Sequence, residues 1–125
     1  MKKPLFTSFL GALFSAGCLA ASNCDKPVND FDGLYCLNKV YNEADRELNE
    51  KYGQLAGQLD AEGKAKLKRG QIAWMRNRNS QCSRHEGHEF FVNLECATRE
   101  TISRAEFLQS RLRECSSTGC QSSRL

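Results

Sequence analysis

Six cysteines, Cys24, Cys36, Cys82, Cys96, Cys115 and Cys120, constrain this chain more than any other feature, because an even set in an exported small protein implies a disulfide framework. A seventh, Cys18, belongs to a stretch of different character. Met1, Lys2 and Lys3 precede an apolar run from Leu5 to Leu19 broken by Thr7, Ser8, Gly11, Ser15 and Gly17, and the small residues Ala20, Ala21 and Ser22 follow. A basic start, a short apolar run and a small-residue end make residues 1–22 a secretory signal peptide. The run is too short for a membrane span and no second one follows, so the mature protein is expected in the periplasm or outside the cell and not across a membrane. The alternative is "SAGC" at 15–18 as a lipoprotein signal, with Cys18 acylated and the protein anchored at the outer membrane; the usual leucine three residues before the cysteine is missing.

Cleavage leaves roughly 100 residues, enough for one small domain. Residues 23–33, with Pro27, two Asn and three Asp, read as an irregular lead-in. From there Leu34, Leu37, Tyr41, Ala44, Leu48, Tyr52, Leu55 and Leu59 recur every three or four residues, the stripe of one long amphipathic helix. Asp60 to Gly63 supplies a turn. Leu67, Gln71, Trp74, Arg78 and Cys82 then mark one side of a second helix, and that side is half polar. Ser83 to Glu89 reads as a loop around Gly87, after which Phe91, Leu94, Thr98, Thr101, Ala105, Leu108 and Leu112 mark a third helix. No segment alternates with period two, so no strands are expected. The expected fold is all-α, an antiparallel three-helix bundle over 34–114 stapled by disulfides, with residues 115–125 a disulfide-containing tail.

In such a bundle Cys36, Cys82 and Cys96 fall at one end. About 19 helical residues separate Cys96 from Cys115, roughly 28 Å at 1.5 Å each, too far for a bond. The simplest pairing is therefore Cys24 with Cys36, Cys82 with Cys96, and Cys115 with Cys120 around the "SSTG" turn. Other connectivities stay open from sequence alone.

Chemistry-bearing patterns are few. "RHEGHEF" at 84–90 sets His85 and His88 three apart beside a glycine, whereas a zinc-protease helix needs its histidines at i and i+4. No other histidine exists to complete a site, so neither a metal nor any cofactor is expected. Glu43, Glu47 and Glu50 share one face of the first helix, but nothing in the sequence forms a cleft around them. The chain reads as non-enzymatic. The formal charge of +3 falls to +1 without Lys2 and Lys3. Its distribution is uneven: residues 23–52 hold seven acidic and four basic side chains, residues 63–85 seven basic and none acidic. Lys64, Lys66, Lys68, Arg69, Arg76, Arg78 and Arg84 could meet an anionic envelope polymer. Nucleic acid is a poor match, with no aromatic interleaving and little net charge.

Three stretches, "ADRELNEKYGQL" (44–55), "LKRGQIAWMRNRNSQC" (67–82) and "CATRETISR" (96–104), together resemble the LprI-type lysozyme-inhibitor domain family of small exported bacterial helical proteins. The family frame is met by Asp45, Leu48, Asn49, Tyr52 and Leu55, by Leu67, Gln71, Trp74, Arg78 and Cys82, and by Cys96, Thr101 and Arg104. Asn79 stands where the frame has aspartate, Glu100 where it has an apolar residue, and the "CSSTGC" tail lies beyond it. Gln71, Trp74 and Arg78 sit at i, i+3 and i+7, with Asn49 and Thr101 available from neighbouring helices, and read as a polar network that fixes helix register.

The resemblance implies a protein that binds a lysozyme and shields the producer's peptidoglycan. The nominated contacts are Glu43, Glu47 and Glu50, because lysozymes are commonly basic, and His85, Glu86, His88 and Glu89, because their loop is tethered. An envelope-binding module acting through the basic helix and an immunity protein against a wall-degrading toxin are the other two readings.

Overall fold

A computed structural model describes residues 24–125; the expected signal peptide at 1–22 and Cys18 lie outside the described residues. Three helices carry the chain: α1 (Asp30–Gln58), α2 (Ala61–Cys82) and α3 (Leu94–Ser117). Between α2 and α3 lie two short strands, β1 (Ser83–Glu86) and β2 (Glu89–Val92), and a single 3₁₀ turn (Ser122–Arg124) closes the chain.

Each helix starts on an Asn or Asp that satisfies one of the otherwise orphaned N–H groups of the first turn. Asn29 accepts from the Asp32 N–H at 3.0 Å, Asp60 from Gly63 at 2.7 Å and Asn93 from Cys96 at 2.9 Å. Asp30, Asp32, Glu62 and Glu95 add negative charge where the helix dipoles favour it. The first cap starts α1 a turn ahead of Leu34. The second allows α2 to follow α1 after only Leu59 and Asp60, and it needs Gly63: a Cβ there would sit 3.1 Å from both the Asp60 carboxylate and the Leu59 side chain.

The core gathers at one end of the bundle. Leu48, Leu55 and Leu59 pack against Leu67 of α2 and Ala105, Leu108 and Leu112 of α3, with Tyr52, Trp74 and Phe107 at the margin. Leu55, Leu67 and Leu108 are fully buried. The opposite end departs from the sequence expectation. Leu34 and Leu37, at the head of the stripe, are exposed along with Phe31, Tyr35 and Val40. The reason is length: Tyr41 is level with Leu94 and Ala97 at the start of α3, so the eleven residues before it carry α1 about 16 Å past its neighbour.

The expectation of a loop at 83–89 and of no strands is also corrected. β1 and β2 pair antiparallel with Ser83 opposite Val92 and Glu86 opposite Glu89, leaving Gly87 and His88 as a two-residue turn. Gly87 has φ 62°, and no non-glycine among the described residues has positive φ. Glycine at the first central position is the type II′ pattern, whose twist suits a hairpin. The aromatic and β-branched run Phe90, Phe91, Val92 supplies the second strand. Phe91 accordingly belongs to β2, and α3 begins at Leu94.

Disulfides join Cys24 to Cys36, Cys82 to Cys96 and Cys115 to Cys120, with Cα separations of 5.4, 5.4 and 4.0 Å. The second crosses the base of the hairpin, where the Asn93 N–H also donates to the Cys82 carbonyl at 2.8 Å.

Candidate functional site

The hairpin is the most exposed ordered element of the molecule. Every residue of β2 faces solvent, with Phe90 60% and Val92 53% exposed. Strand alternation sorts its side chains into two faces. On one, Arg84 lies over the Phe91 ring at 4.7 Å and pairs with Glu86 at 2.6 Å. On the other, the His85 and Phe90 rings meet at 4.7 Å across the strands. His88 sits in the turn, and Glu89 enters no ion pair among the described residues. His85, Glu86, His88 and Glu89 are thus gathered within one short projection above the Cys82–Cys96 bond. They form no metal-binding group among the described residues.

The acidic face of α1 is less acidic than its sequence. Arg46 lies between Glu43 and Glu50 and bonds both carboxylates at 2.5 Å. Its hydrogen bond and charge hold the Glu43 carboxyl below the usual glutamate range. Glu47 enters no ion pair among the described residues and borders a shallow hollow with Val40 and Ile102.

Apart from Asn49, the family-frame residues lie inside the bundle or along its seams. Thr101 is fully buried and donates to the Ala97 carbonyl at 2.7 Å. Arg78 donates to Thr101 Oγ1 and to the Tyr41 hydroxyl, both at 3.4 Å, and its guanidinium lies 4.9 Å from the Trp74 ring centre. Arg104 Nε donates to Gln71 Oε1 at 3.0 Å, and the Arg104 guanidinium stacks 4.6 Å from Phe107. Burial pushes the Arg104 guanidinium below its ordinary pKa, with Tyr52 opposing the shift. Arg78 and Arg104 thus each tie α2 to α3. Asn49 is not part of this network. It is exposed and donates to Asp45 one turn earlier, at 3.1 Å, because its position on α1 faces away from α3. Tyr41, which sequence reasoning placed only in the apolar stripe, takes the place expected for Asn49.

A second cluster carried no sequence signal beyond an ordinary i, i+3 spacing. Arg111 is buried, pairs with Glu114 at 3.0 Å and stacks near Phe107, and Arg124 from the 3₁₀ turn bonds the same carboxylate. The basic residues of α2 form no comparable site: Lys66 pairs with Glu62, and Lys64, Lys68, Arg69 and Arg76 are exposed.

Between α1, the last turn of α2 and the hairpin lies a notch of about 270 Å³. Tyr41, Arg78 and Asn79 form its polar side and Phe90, Val92 and Leu94 its apolar side.

The family description "Lysozyme inhibitor LprI" matches residues 16–108, and the chain belongs to that family. The family is one of inhibitors, not of enzymes, and its description implies a protein partner. No helix among the described residues is long and apolar enough to cross a membrane. No curated protein and no solved structure matches the chain.

Proposed function

We propose that this chain is an exported, non-catalytic protein that binds a lysozyme and blocks its cleavage of peptidoglycan, meeting the enzyme with the stapled hairpin. One observation carries the reading within the family. A two-residue turn flanked by Glu86 and Glu89 is held above a disulfide, with Phe90 and Val92 turned to solvent beside it. Apolar side chains exposed on a preorganised element lose little entropy when a partner covers them, the condition for a binding hot spot. Glu47 and the Glu43–Arg46–Glu50 cluster on α1 supply a secondary, weakly acidic contact. Export through the signal peptide places the protein where lysozyme meets the wall.

The test is the loss of turbidity of bacterial cell walls under a panel of lysozymes, with and without the oxidised protein. Saturable inhibition near equimolar ratio is expected for at least one lysozyme, and no wall lysis by the protein alone. Phe90→Ala with Val92→Ser should weaken inhibition at least about tenfold, the loss of roughly 1.4 kcal/mol of contact, with the helical circular dichroism unchanged. Inhibition of no lysozyme by folded protein overturns the function, and undiminished inhibition by the double variant overturns the hairpin's role.

A further inference from the structure

The notch beside the hairpin contains a charge that the fold does not neutralise. All 15 acidic residues of the chain lie between Asp25 and Glu114, within the described residues. None of the ion pairs includes Arg78. Its partners are neutral: Nε and one terminal nitrogen both donate to Asn79 Oδ1, at 3.3 and 3.1 Å, and the other terminal nitrogen makes two long bonds to hydroxyls. A half-buried guanidinium pressed against Trp74 with only neutral acceptors is stabilised far less than one that meets a carboxylate.

We propose that this notch is a receptor for a carboxylate carried on an apolar body, and that its occupant is an acidic side chain flanked by an apolar residue on the protein partner. Among the described residues Arg78 is the one cation lining the cavity and no acidic residue lines it, so a monoanion balances the charge and a phosphate dianion does not. Phe90, Val92 and Leu94 wall the remaining space, and about 270 Å³ accommodates a group of one or two side chains. A planar guanidinium fork favours bidentate carboxylate, and the long bonds to Tyr41 and Thr101 are the ones a carboxylate would displace. The identity of the occupant rests on the lysozyme-binding reading; the chemistry of the notch does not.

Trp74 is the only tryptophan in the chain and stacks on Arg78, so its emission reports on the notch. The oxidised protein is titrated with N-acetyl-leucine and, separately, with N-acetyl-leucinamide. A saturable change in Trp74 emission is expected with the acid, at least about tenfold weaker with the amide, as for loss of one charge-assisted contact. Asn79→Asp places a carboxylate beside Arg78 from within and should abolish the response, while Asn77→Asp, the same change at an exposed α2 position outside the notch, keeps it. Equal responses to acid and amide, or none to either, overturn the receptor. The same two variants are then compared against a lysozyme that the unaltered protein inhibits. Weaker inhibition by Asn79→Asp but not by Asn77→Asp supports the assigned occupant, and equal inhibition by both overturns that assignment while the titration stands. Should the unaltered protein inhibit no lysozyme, the proposed function falls and the titration still decides the notch.

Discussion

The two ends of the bundle are held by different physics. At the leucine end, side chains from all three helices exclude water, and Leu55, Leu67 and Leu108 are fully buried. At the hairpin end, α1 overhangs with Phe31, Leu34 and Tyr35 in solvent, the hairpin has no interior of its own, and two disulfides and a polar seam keep the elements in place. A two-stranded hairpin alone is marginal in water, and covalent closure lets this one persist without burying its own apolar side chains. The difference runs along a single axis: apolar burial is concentrated at one end and apolar exposure at the other.

Substitutions at the two ends break that comparison to different degrees. The largest effect is expected from Leu108→Ala, which removes a fully buried side chain from the shared core and should lower unfolding free energy by about 4 kcal/mol, read by urea denaturation. Next, Cys82→Ser with Cys96→Ser opens a loop of 14 residues and should remove about 3 kcal/mol. Amide exchange should show this loss as a hairpin that opens while protection around Leu55 persists; equal loss of protection at both ends would mean they unfold as one unit. Third, Glu114→Gln leaves Arg111, only 10% exposed at its side chain, without its anion, and should cost about 2 kcal/mol, as for a buried donor left unsatisfied. The smallest effect is expected on the outer face of α1. Arg46 depresses the Glu43 carboxyl, so whatever stability Glu43 adds is present above the ordinary glutamate range and vanishes as pH falls through its lowered value. Glu43→Gln should therefore match the parent in acid and differ only slightly near neutrality, because the pair is exposed. A large difference at pH 7 would mean that this face is packed in solution.

Local and periodic features were legible in the sequence, and features made by overhang or enclosure were not. The leucine stripes gave the helices their faces, and the Gln71, Trp74 and Arg78 spacing put those residues on one side of α2. The hairpin escaped because its strands bury nothing: with all of β2 exposed, "SRHE" and "EFFV" have no inward face to alternate. Gly87 with one following residue between the two runs was the available signal. Leu34 and Leu37 looked like core because periodicity reports a stripe and not whether a neighbour reaches it. Arg111 and Glu114 looked like a surface pair, and only the fold showed that Phe107 stacks over one and Arg124 reaches the other. Tyr41 rather than Asn49 meets Arg78 because a residue's position on a helix face does not tell which neighbour lies opposite.

Within residues 24–125 the disulfides join consecutive cysteines, over separations of 12, 14 and 5 residues. No bond encloses another. An oxidant acting on Cys24 through Cys120 in order of emergence would therefore make the native set by default. Where each pair closes before the next thiol arrives, oxidation in order of synthesis needs no isomerase to rearrange it.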